Sequence, residues 1–152
     1  HQAEQTRGYY VNDLVQSINS LDNNMPIIVV GDFNEPSHLD WVYGAENPMQ
    51  FQFNNDLSPF VVDWPASNKM LNAGLIDVYR EMFPNPIDYP GYTWTPYYAV
   101  NEVHDRIDFI YHDNTMNVES VSLIGPDNLS DIIISDYESD HRAVLTVFAH
   151  NL

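Results

Sequence analysis

The stretch Pro26-Ile27-Ile28-Val29-Val30-Gly31-Asp32-Phe33-Asn34 decides how the chain is interpreted. Its β-branched apolar run, residues 27–30, predicts a strand that is buried on both faces and lies inside a sheet. Gly31 permits a sharp bend, so Asp32 and Asn34 leave the strand together at its carboxyl end. Ligands of α/β proteins bind at that end of a strand. The stretch therefore predicts either a polar turn that caps a core strand or one wall of a metal or phosphate site.

The composition indicates one globular, acidic domain. The 152 residues are 44% hydrophobic, and no run approaches the ~18 apolar residues that suggest a membrane span. The absence of cysteine excludes disulfides and thiolate zinc sites. Twenty-two acidic residues against five basic ones give a formal charge of −17. This charge disfavours nucleic acid as a partner, and it is typical of proteins that stay soluble in salt or outside the cell, which favours an extracellular or periplasmic setting.

Hydrophobic periodicity predicts helices and strands along the whole chain. Apolar residues at spacings of three and four make 2–21 an amphipathic helix, and the strand described above follows it. Further short helices are predicted at 37–43, 67–73 and 75–83, and strands at 106–111, 118–124 and 142–148. Residues 44–65 have no clear period and are expected to form a long surface excursion.

Three polar positions at predicted strand borders could carry chemistry. Asp32 and Asp140 could supply the carboxylates that Mg²⁺ prefers, if their strands are neighbours. His141 is the side chain best suited to move protons near neutral pH, and Asp108 could fix its tautomer. Together they would form a phosphoester-hydrolysing constellation. Taken singly, each could be an ordinary loop or salt-bridged residue.

Three segments in this order closely resemble the endonuclease/exonuclease/phosphatase superfamily: Gly-Asp-Phe-Asn at 31–34, Arg-Ile-Asp-Phe-Ile at 106–110 and Ser-Asp-His-Arg at 139–142. That group includes deoxyribonuclease-I-like nucleases, abasic-site endonucleases, neutral sphingomyelinases and inositol-polyphosphate phosphatases. The Thr-Trp-Thr-Pro segment at 93–96 is similar to the aromatic loop that many members carry. The extended motifs look like an uncharacterised microbial branch.

The resemblance implies a role for each motif residue. Asp32 would be a metal-linked carboxylate that activates the attacking water, and Asn34 would bind the phosphate and stabilise its transition state. Asp108 would orient His141, which would act as proton shuttle or charge stabiliser. Asp140 would help to hold the divalent ion, Mg²⁺ or else Mn²⁺ or Ca²⁺. How the role of base divides between Asp32 and His141 stays open.

The resemblance also implies that residues 1–152 are the C-terminal half of a catalytic domain. Family members begin with a first half that bears a metal-binding Asn, a metal-binding Glu and a further His, and these are absent here. The expected fold is half of a four-layer α/β sandwich, with one mixed, mostly antiparallel sheet and helices on its outer face. Alone, such a half would expose an apolar face that self-associates or binds the missing N-terminal half.

The leading hypothesis is a divalent-metal-dependent phosphodiesterase or phosphatase that uses in-line water attack and needs the N-terminal half. The acidity favours small or lipid-linked phosphoesters as substrates. The alternatives are a non-catalytic structural fragment, a module completed by another chain, and a secreted nuclease. Glu35 and Asp105 are candidates for lining the site. His38, His104, His112 and His150 are expected to be surface or loop histidines and not ligands.

Overall fold

The computed structural model describes residues 2–21, 25–45, 62–96 and 103–149. Its helices are α1 Gln2–Gln5, α2 Arg7–Asn19, α3 Pro65–Asn72 and α4 Val78–Met82, and its strands are β1 Ile28–Asp32, β2 Ile76–Asp77, β3 Asp108–His112, β4 Asn117–Gly125, β5 Ile132–Ile133 and β6 Ala143–Ala149. The expected α/β class is therefore confirmed. Most of the predicted excursion at 44–65, and His150, lie outside the described residues. None of the described helices is long and apolar enough to cross a membrane.

The strands divide between two three-stranded sheets, whereas a single sheet was predicted. The first has the order β1-β3-β2 and the second the order β5-β4-β6. All described pairings are antiparallel except that of β4 with β5. The ring of His112 on β3 lies 5.4 Å from that of Phe148 on β6, so the two sheets adjoin.

The expectation that β1 is buried on both faces is wrong for the described residues. In this part of the chain β1 is an edge strand that pairs only with β3. Ile28 is 48% exposed and Val30 65% exposed, whereas Val29 is half-buried. The reason is that the helices cover only the face that carries Val29. An apolar run predicts that a strand is buried, but it does not show which elements cover each face of that strand.

The main core lies between the first sheet and the helices. The apolar stripe of α2 packs with α3 against the aromatic residues of β3, and the buried members of this core are Val11, Ile18, Ala66, Met70, Leu75, Phe109 and Tyr111. A second core packs α4 against β4, with Val78, Tyr79, Val121 and Leu123 buried. These two cores fix β1 and β3, whose ends carry the candidate site.

Two predicted helices differ in the structure. In the segment predicted as a helix over 75–83, residues 76–77 pair with β3 and the helix begins only at Val78. The Asp77 side chain accepts hydrogen bonds from the backbone N–H groups of Tyr79 and Arg80 at 3.0 and 3.3 Å, so it caps α4. The segment 37–43 forms a turn, in which Ser37 Oγ accepts a hydrogen bond from the Leu39 N–H at 3.1 Å.

Candidate active site

Two carboxylates lie opposite each other on neighbouring strands of the first sheet. Asp32 ends β1, Asp108 begins β3, and the two are directly paired in the antiparallel register. Paired residues of an antiparallel ladder point to the same face with their Cβ atoms ~5 Å apart, and like charges there repel. Two facing carboxylates are therefore favourable only with positive charge or a hydrogen-bond donor nearby.

Asn34 forms a tight turn around Asp32. The Asn34 backbone N–H donates to Asp32 Oδ1 at 2.7 Å, and Asn34 Nδ2 donates to Asp32 Oδ2 at 2.8 Å. Asn34 has φ 48°, in the left-handed region that few residues other than Gly and Asn adopt easily. The turn thus holds the carboxylate rigidly and leaves Asn34 one amide hydrogen to donate elsewhere.

His141 completes the group from the loop before β6. Its Nδ1 lies 2.8 Å from Asp108 Oδ2. An ionised carboxylate can only accept, so Nδ1 carries the hydrogen and Nε2 is left to exchange a proton with another group. The loop is held by Tyr137, whose hydroxyl donates to the His141 carbonyl at 2.6 Å and accepts from the Ala143 N–H at 3.0 Å.

The aromatic segment at 93–96 supports this arrangement. The buried Thr93 hydroxyl accepts hydrogen bonds from the N–H groups of Ile107 and Asp108 at 3.0 and 3.2 Å. The indole of Trp94 lies 4.8 Å from the His141 ring. The segment therefore fixes the start of β3 and forms one side of the histidine's surroundings.

The electrostatics of His141 favour its protonated form. Burial lowers the pKa of the imidazole, but the hydrogen bond and charge of Asp108, with the charges of Asp32 and Asp140, more than offset this. The pKa of His141 is consequently raised above its ordinary value of 6.5. The imidazolium that forms is stabilised by three surrounding carboxylates.

Some of the predicted site residues lie close together, and Asp140 lies outside that group. Within the described ranges, ligand atoms of Asp32, Asp108 and His141 all lie within 4.8 Å of one another. Asn34 joins them through Asp32. Asp140 is exposed and stands outside this group of three, although its charge acts on His141. The roles assigned to these residues stay predictions.

A largely buried network of four charges adjoins the start of β3, and it was not predicted from the sequence. Asp40 Oδ1 accepts from Arg80 Nε at 2.6 Å and from Arg106 at 2.9 Å, while Arg106 also binds Asp77 at 2.8 Å. The Arg106 guanidinium lies 4.7 Å from the ring centre of Phe109. Because Arg106 precedes the Ile107-Asp108 pair, the network anchors β3. Both arginines of this network stand in apolar segments of the sequence, which was a signal that each needed a buried partner.

Several other predictions can be compared with the structure. Glu35 is buried, and its Oε1 accepts from the Ala66 N–H at 2.6 Å, so it supports α3. Asp105 accepts a hydrogen bond from Trp41 Nε1 at 2.8 Å. His104 lies in a loop, as expected, and is buried against the ring of Tyr92. For His112 the expectation of a surface or loop position is wrong, because it ends β3 and is buried against Phe148. His38 is half-buried, with Nδ1 2.8 Å from Ser67 Oγ.

Comparisons with known proteins agree with the fold. An uncharacterised protein of Caenorhabditis elegans is 32% identical over 133 residues, which cover 80% of this chain and 40% of that protein. The crystal structure of humanized D. rerio TDP2 with 14 mutations matches with a TM-score of 0.56 at 19% identity, covering 99% of this chain and 51% of that one. The chain thus spans about half the length of these proteins or less.

A match to a family model shows to which family the chain belongs. The model described as "Endonuclease/Exonuclease/phosphatase family" matches residues 3–141. The match covers most of the chain and includes the Asp32–Asn34 turn, Asp108 and His141. This chain belongs to the endonuclease/exonuclease/phosphatase family.

Proposed function

We propose that this chain carries part of the active site of a divalent-metal-dependent phosphoester hydrolase. The family and the similarity to TDP2 support a phosphoesterase-type hydrolase in general. The observation that carries the finer proposal is the cluster of Asp32, Asp108 and His141, with ligand atoms within 4.8 Å of one another. The hydrogen-bonded pair of Asp108 and His141 suits proton transfer, and the nearby carboxylate of Asp32 suits metal binding.

The donor set fits a hard divalent cation. Each oxygen of Asp32 accepts one hydrogen bond from Asn34 and keeps a lone pair for a further ligand. Asp32 is exposed, and exposed Asp140 is near enough to act on His141. Asp32 and Asp140 would hold the ion, Mg²⁺ in the first instance, with water and substrate oxygens as the other ligands. Such an ion supplies charge neutralisation for the phosphoryl oxygens.

The chain's own residues would then act on the phosphoester. Asn34 donates its second amide hydrogen to a phosphoryl oxygen, where negative charge increases in the transition state. His141 exchanges a proton at Nε2, while Asp108 holds the ring in the required tautomer through Nδ1. Asp32 and His141 both remain candidates for the base that takes the proton of the attacking water.

The substrate class follows from charge. The formal charge of −17 opposes the binding of a polyanionic backbone. Beside the site, an open groove of about 490 Å³ runs between α2 and β1, and Arg7 is the basic residue that lines it. We therefore propose a small or lipid-linked phosphoester as substrate in preference to nucleic acid.

Hydrolysis of bis(p-nitrophenyl) phosphate by the longer polypeptide that contains this chain tests the proposal. Turnover should require Mg²⁺, be lost with EDTA and return when Mg²⁺ is added. Asp32→Ala and His141→Ala should each lower kcat at least ~100-fold, whereas Asp136→Asn, a change at an exposed loop carboxylate, should leave the rate unchanged. Turnover that survives EDTA or both alanine changes contradicts the mechanism. Nicking of plasmid DNA at low salt contradicts the substrate preference.

We further propose that activity needs a second half of the domain, supplied by the same polypeptide. Ile28, Val30, Leu145 and Val147 are all at least 44% exposed on strands of the two sheets. Within the described residues the outer edge of β1 has no partner strand. Apolar strand residues and an unpaired edge of this kind favour burial by further structure.

Comparing the 152-residue chain with a longer polypeptide that contains it tests this second proposal. The longer form should hydrolyse the diester and remain monomeric, and the chain alone should be inactive and self-associate in analytical ultracentrifugation. Full activity of the monomeric chain alone would contradict the proposal. An inactive longer polypeptide that folds normally would favour the alternative, a non-catalytic structural module.

A further inference from the structure

A second cavity, of about 240 Å³, is lined by none of the proposed hydrolase residues. Its aromatic walls are Tyr79, Tyr89 and Tyr92, and carboxylates of Asp88 and Asp131 also line it. Nothing in the proposed phosphoester chemistry uses these residues. The cavity is smaller than the ~300–1,000 Å³ typical of sites for drug-sized ligands, so it suits a small molecule.

The aromatic walls are held in place by packing. Tyr89 stacks on Phe83 with ring centres 4.8 Å apart, and Phe83 in turn lies 5.0 Å from Tyr79. Gly91 has φ 70°, and a Cβ at this position would collide with the Tyr79 ring, so the chain passes as close to that ring as only glycine allows. Tyr89 is nevertheless 50% exposed. A ring that is fixed and accessible loses little entropy when a ligand binds.

The charge at the cavity is negative. Arg142 also lines it, but its guanidinium is buried and already bound to both oxygens of Asp127, at 3.0 and 3.1 Å. Asp131 accepts from the Leu123 N–H through Oδ2, and Asp88 accepts from Asn85 through Oδ2, which leaves Oδ1 of each for a ligand. An anion would be repelled here.

We propose that this cavity binds an organic ammonium cation of the choline type. The faces of tyrosine rings attract cations, and quaternary ammonium groups are recognised by aromatic surroundings. The Tyr79 ring already has the guanidinium groups of Arg80 and Arg106 at 5.2 and 5.4 Å, so Tyr89 and Tyr92 present the rings that the ligand contacts. The apolar lining, Leu123 and Leu129, suits the methyl groups, and the two carboxylates supply the opposite charge. A bare metal ion would instead need several converging oxygen ligands. The cation could be a free small molecule or the headgroup of a lipid, since both present the same group.

Calorimetric titration of the protein with choline chloride tests the proposal without any activity measurement. The matched control ligand is 3,3-dimethyl-1-butanol, which has the same shape and no charge. Choline should bind with saturation, and the neutral compound should bind at least ~5-fold more weakly. Tyr89→Leu and Asp88→Asn should each weaken choline binding by about 3- to 30-fold. Tyr9→Leu, at a tyrosine 59% exposed on α2, should leave it unchanged.

Phosphatidylcholine vesicles distinguish the two sources of the cation. Vesicle binding that free choline displaces identifies a lipid headgroup, and choline binding without vesicle binding identifies a free small molecule. Equal affinity for choline and its neutral analogue would overturn the proposal, and so would choline binding that is unaffected in both variants. Each variant is checked for folding by its urea midpoint, and Asp88→Asn, at an exposed side chain, provides the test if Tyr89→Leu does not fold.

Discussion

Replacing Asp105 with asparagine is expected to stabilise the protein at neutral pH and to leave its stability unchanged in acid. Asp105 precedes Arg106 and exchanges backbone hydrogen bonds with Trp94, at 2.7 and 2.9 Å. Its side chain accepts a hydrogen bond from Trp41 Nε1 at 2.8 Å. Asparagine can accept the same bond through its side-chain oxygen, so the substitution removes the charge and keeps the contact.

The size of the expected stabilisation follows from the pKa of Asp105. Burial raises the pKa of Asp105 from an ordinary 3.8 to about 6; the Trp41 hydrogen bond opposes this rise, and the charge of Asp40 adds to it. The folded protein therefore holds this proton more tightly than the unfolded chain. Stability from this group is present below pH 3.8 and is lost as the pH rises through about 6. At about 1.4 kcal/mol for each pKa unit, the loss is ~3 kcal/mol by pH 7.5.

Urea unfolding of both proteins between pH 3 and pH 7.5 measures the effect. The free energy of unfolding of Asp105→Asn should equal that of the wild type near pH 3 and exceed it by up to ~3 kcal/mol at pH 7.5. Asp136→Asn, at an exposed loop position, is the matched control and should show no such pH-dependent difference. A difference for Asp105→Asn that does not vary with pH would refute the reasoning, as would a variant that is less stable than the wild type at pH 7.5.

Three further predictions concern the site and the buried network. Asp108→Asn should lower the pKa of His141 in an NMR titration, because the substitution removes the charge that raises this pKa. If neutral His141 takes the proton of the attacking water, the acid limb of the kcat/KM profile lies above pH 6.5 in the wild type and moves to lower pH in the variant. An unchanged pKa of His141 would exclude its coupling to Asp108. Asp40→Ala should lower the free energy of unfolding, measured in urea, by ~3–5 kcal/mol, because Arg80 and Arg106 lose their shared carboxylate partner. A loss below ~1 kcal/mol would contradict a stabilising role for the network. Asn34→Gly should lower kcat by ~10²–10³ with little change in the urea midpoint, since glycine adopts φ 48° without strain while the amide donor is lost; equal kcat would remove Asn34 from the proposed mechanism.

Local sequence was sufficient where the signal depends on neighbouring residues. The helical stripe of 2–21 appears as α1 and α2, and the β-branched and aromatic runs appear as β1, β3, β4 and β6. The order of the motifs around Asp32, Asp108 and His141 was enough to indicate the superfamily, which the family match confirms. These features depend on residue type and spacing, and both can be read from the sequence.

Contacts between segments that are distant in the sequence could not be predicted from local sequence. The sequence could not show that the strands form two sheets, because pairing depends on how the segments meet in space. It also could not show that Arg80 and Arg106 share Asp40, which lies 66 residues from Arg106 in the chain. Such pairs are set by packing around a common core.

The Asp32–Asn34 turn illustrates both kinds of information. By itself, the sequence determined that a carboxylate and an amide follow an apolar strand at a glycine bend, because these properties are local. Only the tertiary structure decided that Asp32 faces Asp108 across an antiparallel ladder and that His141 joins them from a loop more than a hundred residues after Asp32. It also decided that the strand is exposed at Ile28 and Val30, since exposure depends on what packs against each face.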